Sequence, residues 1–295
     1  MHELFAESTI LYIAVVFAFG LVIGSFLNVV IHRLPLMMER DWRAQCEELA
    51  RHATEPDIPE GRFDLIAPRS RCPSCGTVIK AWQNIPVISY LLLGRKCGNC
   101  GESISARYPL IEIATALLAA ACAWRFGFGV EALMAIVLTI ALVPVTMIDA
   151  ETQLIPDSIV LPLLWIGLAM SLFHPMDGAT TLFIAPRDAI IGAMAGYLSL
   201  WSVYQLFKLV TGKEGMGYGD FKLLAALGAW LGWQQLHLIV LLSAVVGALV
   251  GLSLMAFRRH DRSVPIPFGP YLAAAGWVTM MWGDAIQKAY LDKFL

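Results

Sequence analysis

Long apolar segments recur along most of this chain, and they limit what it can fold into. The 295-residue sequence is 58% hydrophobic and only 15% charged, whereas soluble domains carry about 25% charged residues. A run of about 20 apolar residues is long enough, as a helix, to cross the hydrocarbon core of a bilayer. The pattern predicts an all-α polytopic membrane protein in a lipid bilayer, with about eight transmembrane helices. The predicted spans cover residues 9–31, 109–124, 132–148, 158–173, 189–207, 221–233, 236–257 and 265–282.

The basic residues indicate how the spans are oriented. With eight spans and the N-terminus outside, 17 of the 21 Lys and Arg residues fall in inner loops and 4 on the outer side. Positively charged loops stay in the cytoplasm, so both termini are expected outside the cytoplasm. The chain then divides into a first span at 1–32, a cytoplasmic segment at 33–107 and a membrane core at 108–295.

The cytoplasmic segment contains two Cys-x-x-Cys pairs. Cys72 and Cys75 are followed, after twenty-one residues, by Cys97 and Cys100, and each pair precedes a glycine. Two such turns supply the four thiolates of a closed, structural zinc site. Disulfides and a redox pair are the alternatives, but disulfides do not persist in the cytosol. The sequence therefore predicts a small zinc-binding lobe between the first two spans.

Other parts of this segment carry weaker patterns. Residues 38–52 have apolar side chains at helical spacing among charges and predict an amphipathic surface helix. Residues 54–68 contain three prolines and predict a loop. Cys46 and Cys122, which lie outside the pairs, are interpreted as apolar fillers.

Two acidic residues lie where apolar segments meet polar ones. Asp149 ends the third predicted span, and Asp220 follows the glycine-rich stretch at 215–219. An acid in such a place is costly unless it is paired or used. Asp220 could alternatively be only the N-cap of a helix that begins at Phe221. The predicted topology places both acids at the cytoplasmic face, a coincidence that the cap alternative does not predict.

Three further charged residues have structural alternatives beside functional ones. Asp157 follows Pro156 ahead of an apolar run and is predicted to cap a helix. Glu112 lies within a predicted span, but its position one turn from the charged edge also fits a side chain that snorkels to the surface. Lys222 could hold a nearby carboxylate ionised or anchor its helix to lipid headgroups, and the sequence slightly favours the anchor.

Two carboxylates brought close can share one proton. The ionised group takes a proton from water while the protonated group polarises a carbonyl, which is the acid–base pair of an aspartic protease. The sequence contains neither a Gly-x-Ser-x-Gly nor a His-Glu-x-x-His motif. Asp149 and Asp220 are therefore the candidate catalytic residues.

The stretch Gly217-Tyr-Gly-Asp220 resembles the Gly-x-Gly-Asp motif of intramembrane aspartyl proteases. A wider set of motifs resembles the type IV prepilin peptidases, and the match runs from the first span to the eighth. The motifs are Gly-Ser-Phe-Leu-Asn-Val-Val-Ile-His-Arg-Leu-Pro at 24–35, the two Cys-x-x-Cys pairs, Asp149 with Ile155-Pro-Asp157, Gly-x-Gly-Asp-Phe-Lys, and Pro-Phe-Gly-Pro at 267–270.

The resemblance implies a bifunctional enzyme of the bacterial inner membrane. It would cleave the leaders of type IV prepilins and type II secretion pseudopilins at the cytoplasmic face, and then methylate the new N-terminal amine with S-adenosylmethionine. It assigns catalysis to Asp149 and Asp220, and zinc ligation to the four paired cysteines. It directs the methyl-transfer site to Gly94 and the residues up to Cys97. No nucleic-acid partner is expected.

Two functions of other classes remain as alternatives. Paired membrane acids also serve as proton relays in transporters, but such proteins often show repeated halves with broken helices, and no repeat is visible. The second alternative is a non-enzymatic assembly factor that docks a partner through its zinc lobe. Cleavage that survives loss of either aspartate would favour one of these alternatives.

Overall fold

The computed structural model describes residue 5 and residues 8–50, 64–66, 68–173, 184–258 and 267–294. Regular structure in these residues is helical, apart from two isolated β-bridges. Each of the eight predicted spans corresponds to a helix, which confirms the all-α class. The helices are α1 (Thr9–Ala50), α2 (Ile88–Leu92), α3 (Arg107–Phe126), α4 (Val130–Thr152), α5 (Asp157–Ser171), α6 (Pro186–Thr211), α7 (Tyr218–Leu231), α8 (Leu236–Arg258) and α9 (Gly269–Phe294).

Five stretches of the described chain are long and apolar enough to cross a membrane as helices. They lie in α1, α3, α4, α6 and α8. Helix α7 has 14 residues and α5 has 15, so both are shorter than the ~20 residues that a full crossing requires. The membrane class is therefore confirmed, while α5, α7 and α9 do not meet the length and composition expected of a span.

The first helix is longer than predicted. It continues without a break through Pro35 to Ala50. Residues 38–50 are therefore helical, as predicted, but they extend the first helix and do not form a helix of their own. Arg33, where the span was expected to end, is 8% exposed and donates hydrogen bonds to the carbonyl oxygens of Asp64 (2.8 Å) and Pro68 (2.5 Å). These bonds satisfy the guanidinium beside the helix. Most of the predicted loop at 54–68 lies outside the described residues.

The chain divides into two compact units, Met1–Trp124 and Arg125–Leu295. In the first unit, α1 approaches α3 closely at two glycines. A Cβ at Gly20 would lie 2.7 Å from Cα of Ala116, and a Cβ at Gly24 would lie 2.7 Å from Cα of Glu112. Two glycines four positions apart thus allow the backbones of α1 and α3 to touch, as is common between membrane helices.

The second unit is built around α7. All residues of this helix from Asp220 to Leu231 except Lys222 are buried. Gly192 of α6 faces Gly228 of α7 so closely that a Cβ on either would collide with the carbonyl group of the other, and a Cβ at Gly196 would lie 2.6 Å from the carbonyl oxygen of Leu224. Backbone contact with α6 therefore fixes the position of the helix that carries Asp220.

Replacing Gly192 with Leu should destabilise the second unit strongly. The new side chain would collide with backbone atoms, which cannot rotate away, and overpacking of this kind costs about 1–3 kcal/mol or more. The melting temperature of the purified protein in detergent measures the effect. Met194→Leu, on the exposed face of the same helix, is the control and should melt like the wild type. Equal melting of the two variants would contradict the close α6–α7 contact.

Candidate active site and metal centre

Asp149 lies in the last turn of α4 and is 5% exposed. The helix ends just after it, at Gln153, whose backbone is left-handed (φ 57°) and whose N–H bonds to the carbonyl oxygen of Asp149 (2.9 Å). The carboxylate is held from the other side, because the backbone N–H of Gly269 donates to its Oδ2 at 3.0 Å. Asp149 therefore has a fixed position between the end of α4 and the beginning of α9.

Asp220 is the third residue of α7, and Gly217 occupies the N-cap position. The alternative in which Asp220 is only an N-cap is therefore wrong. Its side chain is 7% exposed, and Oδ1 is buried with no hydrogen-bond partner within the described part of the chain. A buried carboxylate oxygen without a donor is energetically costly, and a hydrogen bond from a substrate or a water molecule would relieve that cost.

Ile155 connects the surroundings of the two acids. A Cβ at Gly219 would lie 2.6 Å from Cβ of Ile155, and a Cβ at Gly269 would lie 2.9 Å from its Cδ1. Ile155 thus packs between the glycine before Asp220 and the glycine that holds Asp149. The structure therefore brings the two carboxylates into one buried cluster, and their catalytic role stays a prediction.

Asp157 and Lys222 form an ion pair beside this cluster. The Lys222 Nζ donates to both carboxylate oxygens of Asp157, at 2.6 and 2.8 Å. Asp157 is the first residue of α5 after the N-cap Pro156, so its predicted role as the cap is wrong. Lys222 pairs with Asp157 rather than with the buried Asp220. Both side chains are partly exposed, and pairs of this kind contribute at most about 1 kcal/mol.

An aromatic cluster that the sequence did not predict lies behind Asp220. Ring centroids of Tyr204, Tyr218 and Phe221 are 5.5–5.6 Å apart. The glycine-rich loop next to it is tied to α6 by Lys208, whose Nζ donates to Glu214 at 2.8 Å and lowers the pKa of that carboxyl. Tyr204 lies on α6 and the other two residues on α7, so no local pattern in the sequence could have predicted this cluster.

The four paired cysteines meet at one point of the first unit. Their four sulfur atoms all lie within 4.8 Å of one another. Both pairs form the predicted turn: the N–H of Gly76 bonds to the carbonyl of Cys72 (2.9 Å), and that of Gly101 to Cys97 (3.0 Å). Both glycines have positive φ, 69° and 73°, a conformation that glycine adopts at little cost. The cluster could hold a metal ion.

The chemistry of the cluster fits a metal better than a disulfide. All four cysteines are free thiols. Metal binds to the thiolate form. Contacts with Thr77 and then Asn99 lower the pKa of Cys75 to about 6, whereas burial and the neighbouring thiols raise the pKa of Cys100 to about 12. Of the two remaining cysteines, Cys122 is fully buried, as a filler should be, whereas Cys46 is exposed, so its interpretation as a filler is wrong.

Glu112 and Gly94 have distinct environments in the same unit. Glu112 is 7% exposed, and its Oε2 accepts the N–H of Val87 at 2.7 Å. The carboxylate is therefore buried inside the unit, and the snorkelling alternative is wrong.

Gly94 lies in a turn with φ 59°, and nothing lies within 4 Å of where its Cβ would be. Its assignment to methyl transfer stays a prediction.

Comparison with known proteins places the chain in a family. Residues 18–126 match the bacterial peptidase A24 N-terminal domain, and residues 136–252 match the type IV leader peptidase family. No solved structure matches significantly.

Three relatives, each named prepilin leader peptidase/N-methyltransferase, align over nearly their full length. The Stutzerimonas stutzeri protein is 53% identical over 98% of this chain and 97% of its own. The Pseudomonas aeruginosa protein is 54% identical over 92% of this chain and 91% of its own length. The Aeromonas hydrophila protein is 54% identical over 97% of this chain and 96% of its own length. The resemblance in the motifs is thereby confirmed, and the chain belongs to the type IV leader peptidase family.

Proposed function

We propose that the chain cleaves the leader peptide of type IV prepilins and type II secretion pseudopilins, and then N-methylates the new N-terminal residue. The names of its relatives and its family support both activities. The proton-coupled transporter alternative has no support among these comparisons. The observation that carries the peptidase half is the buried cluster in which Ile155 packs between the glycine before Asp220 and the glycine that holds Asp149.

The proposed chemistry is attack by water without a covalent intermediate. One carboxylate accepts a proton from water, while the other, carrying a proton, polarises the scissile carbonyl. Asp149 is fixed by the N–H of Gly269, and Oδ1 of Asp220 lacks a donor that the water or the substrate would supply. Both groups are largely shielded from bulk solvent, which strengthens their interaction with a bound peptide.

The proposed cofactors are structural zinc and S-adenosylmethionine. Four thiolates, from Cys72, Cys75, Cys97 and Cys100, leave no open position on a tetrahedral zinc, so zinc would stabilise the lobe rather than react. S-adenosylmethionine would supply the methyl group for the new N-terminal amine. The turn at Gly94 has open space on its Cβ side, which is compatible with a ligand there.

The protein belongs to the bacterial inner membrane, and we assign its orientation from its charges. The distribution of Lys and Arg supports termini in the periplasm, with the active site and the cysteine lobe facing the cytoplasm.

Conservative removal of either acid should abolish prepilin cleavage. Asp149→Asn and Asp220→Asn keep the shape of the side chain but cannot exchange the proton, so cleavage should fall by at least about a hundredfold, the lower end of what one acid–base group contributes. The measurement is conversion of a co-expressed prepilin in membranes, normalised to the amount of each variant.

Asp157→Asn is the matched control, because Asp157 lies nearby but is partly exposed and pairs with Lys222. It should retain most of the activity. Full cleavage by either Asp149→Asn or Asp220→Asn would reject the catalytic acid pair and favour the transporter hypothesis instead.

The purified protein should contain one zinc ion per chain. Cys75→Ser should lose it, since three thiolates and a neutral hydroxyl bind zinc far less tightly than four thiolates. Elemental analysis of the detergent-solubilised protein measures the content. Cys46→Ser, outside the cluster, should keep the metal. A wild-type protein without bound metal, or retention by Cys75→Ser, would count against the site.

Alkaline phosphatase fused after Leu295 should be active in cells, because it folds only when it is exported. The same reporter fused within the cytoplasmic segment, after Gly101, should be inactive. The reverse pattern would show that the orientation is inverted.

A further inference from the structure

The motif Pro267-Phe-Gly-Pro270 supports no chemistry by itself, yet it lies against Asp149. It forms the beginning of α9, which starts at Gly269. The first N–H groups of a helix have no partner inside the helix and carry a partial positive charge. An acid placed against them is therefore both bonded and electrostatically favoured.

The first turn of α9 leaves one donor for that acid. Pro270 has no N–H, and the N–H of Tyr271 bonds to the carbonyl oxygen of Phe268 at 3.1 Å. Among the three residues that open the helix, 269–271, only Gly269 keeps an N–H for a partner from another part of the chain. That partner is Oδ2 of Asp149, 3.0 Å away in a buried hydrogen bond.

The missing side chain of Gly269 is as important as its N–H. A Cβ there would lie 2.6 Å from Oδ2 and 3.1 Å from Cγ of Asp149, and 2.9 Å from Cδ1 of Ile155. A carboxylate is a short side chain that can rotate away. Any side chain at residue 269 would therefore displace the carboxylate of Asp149 before it would disturb the helix.

We infer that Gly269 is a positioning residue for the cleavage reaction: its N–H holds the Asp149 carboxylate, and its lack of a side chain leaves that carboxylate the space it needs. This inference rests on the proposed function, in which Asp149 acts on the water. It explains the combination of residues in the motif. Pro270 removes a competing donor, and Gly269 supplies the remaining one without a Cβ that would crowd the carboxylate.

The test replaces Gly269 with Ala and measures steady-state cleavage of a purified prepilin in detergent. Displacement of a catalytic group by about 1 Å costs about a hundredfold in rate, so kcat should fall by about that factor while KM stays within about twofold. Rates are expressed per folded molecule, taken from the monodisperse peak in size-exclusion chromatography, so that partial unfolding does not count as lost catalysis.

Gly276→Ala is the matched control on the same helix. Its Cβ would lie 2.6 and 2.7 Å from the methyl groups of Leu227, which is comparable crowding against a flexible apolar side chain instead of a carboxylate. It should cleave at the wild-type rate. A second readout is methylation of an already cleaved pilin peptide with S-adenosylmethionine, which Gly269→Ala should perform at the wild-type rate because that step does not use Asp149.

Three outcomes would overturn the inference: a wild-type kcat for Gly269→Ala, an equal loss in Gly276→Ala, or a parallel loss of methylation. The last two would indicate a general packing defect. Asp149→Asn, measured in parallel, separates this inference from the proposed function. Full activity of Asp149→Asn rejects the acid pair itself. An inactive Asp149→Asn beside a fully active Gly269→Ala rejects only the positioning role.

Discussion

The burial of two carboxylates at adjoining helix ends is the constraint on which the second unit depends. Asp149 and Asp220 are 5% and 7% exposed, and each would be costly in an apolar surrounding without a partner or a use. The surrounding residues compensate the burial of the two carboxylates to different extents. Asp149 receives an N–H from the first residue of α9, whereas Oδ1 of Asp220 receives none from the described residues.

Glycines make this arrangement possible because they allow backbones to approach. Gly219 and Gly269 both contact Ile155, so the chain before Asp220 and the chain beside Asp149 can lie on either side of a single side chain. At the other end of α7, Gly228 meets Gly192 of α6 backbone to backbone. The position of Asp220 is thus determined at both ends of its helix by residues that have no side chain.

Much of the site could be predicted from local sequence, because its key residues occur in short motifs. The cysteine pairs determine their own turns, and the two acids occur at the ends of apolar runs. The hydrogen bond from Gly269 to Asp149 joins residues 120 positions apart, and the Asp157–Lys222 pair joins residues 65 apart. The local sequence around each of these residues does not indicate which distant residue it will contact. The continuation of α1 past Arg33 was missed for the same reason, since the carbonyl groups that satisfy Arg33 come from residues about 30 positions later.

Cross-linking can show whether Asp149 and Asp220 lie close together in the folded protein. In a background with Cys46 and Cys122 replaced by Ala, the pair Asp149→Cys and Asp220→Cys is treated with a short bifunctional thiol reagent, and the linked peptides are identified by mass spectrometry. This pair should link efficiently. Asp149→Cys with Asp188→Cys should not link, because Asp188 bonds to Trp233 at the far end of α7. Failure of the first pair to link, or equal linking of both pairs, would show that the two acids do not lie together.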